Sequence, residues 1–241
     1  MRREIASRYA QSLLGPAWAI AQPAALLAAF VLLAKFVNVP SNGAPYPLFA
    51  AVGLAPWTIF TTALGAAAPT LVLNASIIKK VYFPREVLPV SGAIASAVDA
   101  AVTLAMLALV MALYGVAPTV WILLVPVLIA IIVALALAAG LIIAAISAFY
   151  RDLLIGAAFL LQLAVYTCPV IYSIDSVPES MRGLYLANPL AAVITAFRAC
   201  ILGPHAPDLR GVAVAAAEAA IALVVAHLIF KRLEPSFADY V

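Results

Sequence analysis

Residues 121–148 read WILLVPVLIAIIVALALAAGLIIAAISA, a run dominated by Ile, Leu, Val and Ala without one charged side chain. An apolar run of roughly 20 residues is enough to cross a bilayer core as a helix. Inside lipid the backbone must satisfy its own hydrogen bonds, which leaves only helices and closed barrels. The run lacks the apolar–polar alternation of a barrel strand, so it reads as a membrane-spanning helix.

The rest of the chain follows suit. Hydrophobic residues make up 67% of it and charged residues 10%, with a mean hydropathy of +1.18. A soluble domain carries about a quarter charged residues, so this chain cannot build a water-facing surface. Apolar runs predict spans at 17–37, 47–73, 87–114, 121–148, 153–172 and 211–230. The fold class is therefore an all-α membrane protein of six transmembrane helices, in one domain covering 1–241. The halves show no repeat, which argues against an inverted-repeat secondary transporter.

Six crossings put both termini on one side. With them lie Arg2, Arg3, Arg8, Lys79, Lys80, Arg85, Arg151, Lys231 and Arg232; opposite lie Lys35, Arg182, Arg198 and Arg210. Nine cations against four predict cytoplasmic termini under the positive-inside rule. The net charge of +3 thus reflects topology, and no nucleic-acid signal is read from it. The first apolar stretch exceeds a signal-peptide core and no small-residue cleavage site follows it. Cys168 and Cys200 form no CxxC motif; both fall toward the outer side and read either as packing residues or as a disulfide pair.

Three non-spanning pieces carry the remaining information. The N-terminal MRREIASRYAQSLLGP (1–16) places Ile5, Tyr9 and Leu13 at four-residue spacing among arginines. It is either an amphipathic surface helix or a basic flank that fixes topology. The second piece, NASIIKKVYFPREVLP (74–89), gathers three cations, a carboxylate and two prolines. Pro84 and Pro89 interrupt a continuous helix, so 74–83 forms a short separate helix or a plain basic loop. The third, 173–210, is too long for a turn. Its middle, 189–202, is bracketed by Asn188-Pro189 and Gly203-Pro204 and is too short to span. It reads as a re-entrant segment or as a helix lying on the outer surface.

Catalytic chemistry finds little support. An intramembrane serine protease needs GxSG with a histidine; the sequence around Ser91 is LPVSG, and the two histidines are His205 and His227. His227 reads as an interfacial or hydrogen-bonded residue. Asp99 lies twelve residues into the third predicted span, roughly 18 Å along it. An ionisable group at that depth is either functional or held by a structural hydrogen bond. Glu218 lies nearer the outer face. Trp18, Gln22 and Phe36 share a face of the first span, and Phe159, Gln162 and Tyr166 share one on the fifth. Aromatics and amides together suit sugar, whose rings stack and whose hydroxyls bond; the bland reading is an aromatic belt. No GxxxxGK[ST] loop occurs, so an ATP-driven process needs another subunit to bind nucleotide.

In order along the chain stand RYAQSLLGPAWAIAQP (8–23), GLAPWTIF (53–60), NASIIKKVYFPREVLP (74–89), FYRD (149–152), PVIY (169–172), NP (188–189) and FKRLEPSFADYV (230–241). This ordered set resembles the permease subunits of polysaccharide-exporting ABC transporters, the type 2 exporters of O-antigen, capsule and teichoic acid. The resemblance implies a non-enzymatic homodimer in a bacterial cytoplasmic membrane, bound to two copies of an ABC ATPase that carry ATP and Mg. It implies ATPase contacts for the N-terminal helix, including Arg8, and for the 74–86 loop through Lys79, Lys80, Tyr82, Phe83, Arg85 and Glu86. It implies an outer gate in 173–210 with Asn188, Pro189 and Arg198, and a lipid-linked glycan path lined by Phe36, Phe159, Gln162 and Tyr166. Asp99 receives no role from it. Family members carry more residues before the Arg-Tyr motif, so the N-terminal helix is expected to be abbreviated or to begin upstream. An ABC permease for drugs or another lipid, and more remotely an intramembrane enzyme, are the alternatives.

Overall fold

The structure, a computed structural model, describes residues 17–37, 41, 43–81, 83–117, 119–203 and 206–237. Eleven α-helices run through them: α1 (Ala17–Val37), α2 (Tyr46–Ala67), α3 (Thr70–Leu73), α4 (Ala75–Ile78), α5 (Val87–Ala95), α6 (Ala97–Leu113), α7 (Val125–Ser147), α8 (Leu153–Thr167), α9 (Glu179–Leu186), α10 (Pro189–Leu202) and α11 (Leu209–Leu233). Among the described residues there is no strand, and three 3-10 turns complete the set.

Local chemistry marks the breaks. Pro45 and Pro47 flank the first residue of α2, where a missing N–H costs nothing. Between α5 and α6, the Ser96 hydroxyl donates back to the Ala93 carbonyl at 2.7 Å, a bond that bends helices. The Asp208 carboxylate accepts from the Arg210 amide at 3.1 Å and so caps α11.

α2 is the centre of the bundle. Leu48, Phe49, Val52, Trp57 and Ile59 on it are buried, and it packs against α1, α5, α6, α7 and α10. On α5, a Cβ added at Gly92 would overlap the Ala66 carbonyl oxygen, so only glycine lets these backbones approach. α7 passes α2 on one flank and α11 on the other. The outer faces are apolar: Leu113, Leu123, Ile155, Leu160 and Ile221 are all exposed. So large an apolar surface belongs against lipid or another chain.

Four helical stretches are long and apolar enough to cross a membrane: Tyr46–Leu73, Val87–Leu113, Val120–Ser147 and Leu209–Ser236. The count reaches five if α9 and α10, bent 103° at their junction, are taken as one broken span. α8, with 15 residues, falls below that length, whereas α1 runs for 21 residues. Among the described residues, length and composition thus support four or five of the six expected spans. The fifth predicted span changes most, because its helix stops at Thr167 and not at Tyr172. The cause is Pro169: Cys168 before it is extended, with φ −109° and ψ 148°, as a residue preceding proline prefers.

Candidate functional site

Two one-turn helices, α3 and α4, lead into the 79–86 loop. Asn74, at the junction of α3 and α4, donates from Nδ2 to the Thr70 carbonyl at 2.8 Å. Lys79 and Lys80 then stand exposed. Arg85 and Glu86 do not: they reach far along the sequence, Arg85 across 149 positions, to the end of α11. The Arg85 amide donates to Glu234 Oε1 at 2.9 Å, and its Nη1 donates to the Glu234 carbonyl. Glu86 places Oε1 3.2 Å from Lys231 Nζ and Oε2 3.1 Å from His227 Nδ1. Lys231 Nζ also donates to Glu234 Oε2 at 3.0 Å.

Beneath this ionic cluster lies an aromatic one. Phe237 is fully buried, with its ring centroid 5.2 Å from that of Phe230 and 5.9 Å from that of Phe149. Leu71 and Ile78 are buried in the same cluster, and Phe83 packs against it. The FYRD turn, the charged loop and the FKRLEPS stretch therefore meet in one place. Sequence reasoning had not joined His227, Lys231 and Glu234 to the loop. The usable signal was that charged FKRLEP falls on the same side as the loop. Arg8 and Tyr82 lie outside the described residues.

At the other end of α11 stands a second constellation. Asn188 caps α10, its Oδ1 accepting from the Leu190 amide at 3.0 Å, with Pro189 as the first helical residue. Its Nδ2 lies 3.4 Å from the Cys168 sulfur. Cys168 and Cys200 are both buried and unbridged. Arg198, on α10, donates from Nη2 to the Val170 carbonyl at 2.9 Å, and its guanidinium carbon sits 3.9 Å above the Phe49 ring. Tyr46 donates to the Ile171 carbonyl at 3.1 Å. A Cβ at Gly53 would overlap both the Val170 carbonyl oxygen and the Arg198 guanidinium. Gly53 thus lets the PVIY segment and Arg198 lie directly on α2. Burial, with the neighbouring Tyr185 as a further cause, raises the Tyr172 phenol above the ordinary tyrosine range. The Thr119 hydroxyl donates to the Cys200 carbonyl at 2.8 Å and ties α10 to the turn before α7.

The residues expected to line a path are spread over two helices. Phe36 on α1 is 80% exposed, and Phe159 and Tyr166 on α8 are 59% each. Gln162 is exposed on the same side of α8. α1 packs against α2 and α6, whereas α8 packs against α7 and α2. The two helices thus share α2 as a neighbour. Asp99 is half-buried in the first turn of α6, with its carbonyl accepting from the Thr103 hydroxyl at 2.9 Å.

Residues 1–202 match the family model described as "ABC-2 type transporter". The chain is 32% identical over 244 residues to the "O-antigen export system permease protein RfbA" of Myxococcus xanthus, covering 99% of this chain and 92% of that protein. Two Klebsiella pneumoniae proteins of the same name are each 26% identical over 241 residues, covering 98% of this chain and 91% of theirs. These relatives are named as permeases and not as enzymes. With most of its length matched and its helices packed as described, the chain belongs to the ABC-2 type transporter family.

Proposed function

We propose that this chain is the permease subunit of an ATP-driven exporter that moves lipid-linked polysaccharide of the O-antigen kind across a bacterial cytoplasmic membrane. The observation that carries this reading is the end-to-end similarity to permeases named for O-antigen export. In it, six helices cross the membrane with both termini cytoplasmic, α1 and α8 among them. A separate ABC ATPase binds ATP and Mg. The chain contains no phosphate-binding Gly-Lys loop of its own.

The exposed Lys79 and Lys80 offer that ATPase a docking point, together with the N-terminal segment and Arg8. α9 and α10 form the outer gate and dip back into the membrane. Burial of Val193, Ile194, Phe197 and Cys200 in α10 supports insertion over a helix resting on the surface. Phe36, Phe159, Gln162 and Tyr166 line the glycan path. This path forms between two copies of the chain, a homodimer that binds two ATPase subunits.

The test is reconstitution of the chain with its ATPase in vesicles, comparing lipid-linked glycan with hydrophobic drugs as stimulants of hydrolysis. Stimulation by glycan alone is expected. Stimulation by drugs alone replaces this reading with a drug permease, and activity on substrate without any ATPase replaces it with a membrane enzyme.

A further inference from the structure

We infer that α11 is the rod that carries motion from the 79–86 loop to the gate helix α10. The inference rests on the exporter reading above, because it assumes that an ATPase pushes on the loop.

At one end α11 is fastened to the loop twice over. Glu86 engages Lys231 and His227, and Arg85 holds Glu234 just past the helix. Two cations, Arg85 and Lys231, stand against two carboxylates, Glu86 and Glu234, so their formal charges cancel before any proton on His227 is counted. Below the charges, Phe230 and Phe237 lock into the aromatic cluster with Phe149 and Ile78. A close-packed junction shifts as a body and does not deform continuously. A push on Lys79 or Lys80 is therefore felt by the end of α11 as directly as by α4 and α5.

At its other end α11 is built into a different cluster. Val212, Ala215 and Ala219 are buried with Val193, Phe197 and Ile201 of α10 in the main core. α11 is 25 residues long, a rise of roughly 37 Å, and packs along α7 between these points. One straight element thus touches both the loop and the gate. Physical continuity becomes coupling only if both ends respond to one two-state motion, and that is measurable.

The experiment uses the full complex with its ATPase. Spin labels are placed at the exposed Val81 and Arg232, and their separation is measured without nucleotide and after vanadate trapping. An unchanged separation is expected, because the two points ride on one body; a separation that shifts with nucleotide overturns the inference. In parallel, Glu86→Gln with Lys231→Gln should keep ATPase copurification and lower glycan exported per ATP about threefold, the scale of a partly exposed ion network. Unchanged export per ATP overturns the inference. Loss of the ATPase from the variant also overturns it, by making the cluster a docking site. Should that variant fail to fold, the label pair decides alone. Failure of the wild-type chain to bind any ATPase removes the exporter reading, which is a separate result from these.

Discussion

The two ends of α11 hold charge in opposite ways. At the loop end, charged side chains neutralise one another: Glu86 with Lys231, and Lys231 with Glu234. At the gate end the Arg198 guanidinium is held by the Val170 carbonyl and the face of Phe49. Partly exposed pairs in high dielectric are worth little each and weaken with salt. A desolvated guanidinium bound to carbonyls and an aromatic ring is held by geometry, and its loss strands partners that water cannot reach. The loop end is therefore a soft clasp and the gate end a hard pin.

The largest effect expected from this contrast is at Arg198. Arg198→Ala removes the donor to Val170 and the cap on Phe49, and should cost about 3 kcal/mol. It is read as a fall in the melting temperature of the purified complex. Arg198→Lys should recover only part of it, since an ammonium lacks the planar fork; full recovery by lysine would show that charge alone sets the pin. Next comes Gly53→Ala, whose new methyl meets backbone at Val170 and the Arg198 side chain. Overpacking of that kind costs about 2 kcal/mol, and the same melting assay checks it.

Smaller is the effect of reversing Lys79 and Lys80 together to glutamate. It should weaken ATPase copurification about tenfold, equal to 1.4 kcal/mol, while leaving stability and membrane insertion as they were. Undiminished copurification would remove the loop from the ATPase contact. Smallest is Glu234→Ala, expected to cost under about 1 kcal/mol. That loss should shrink further as salt is raised from 0.05 to about 0.5 M. A salt-independent loss would make the clasp as hard as the pin and erase the distinction.

Much of this arrangement was legible in the residues. The bounds of α10 follow from Asn188-Pro189 in front and Gly203 behind, because an Asx cap and a proline start a helix through local chemistry alone. The end of α8 was misplaced although Pro169 was in view. Continued apolar character to Tyr172 outweighed a backbone restriction that acts on the residue before proline. Arg85 and Glu86 show where reading must stop. In the sequence they stand beside Lys79 and Lys80 as candidate ATPase contacts, and the structure adds partners for both within the chain. Their partners lie well over a hundred positions away, and no local pattern encodes a pairing of that range. The exposed side of α8 was readable from its spacing, whereas what faces Phe159 and Tyr166 is not set by contacts within the chain.

The shortness of α8 also has a consequence for the lipid around it. Its 15 residues rise about 22 Å, against a hydrocarbon layer of about 30 Å. A bilayer meeting an apolar wall that short thins toward it to avoid exposing acyl chains. In the six-span arrangement proposed above, the two leaflets beside α8 would be drawn about 8 Å closer. A polar headgroup crossing there would have that much less hydrocarbon to traverse, so the shape of the membrane would lower the barrier along with the side chains of the protein.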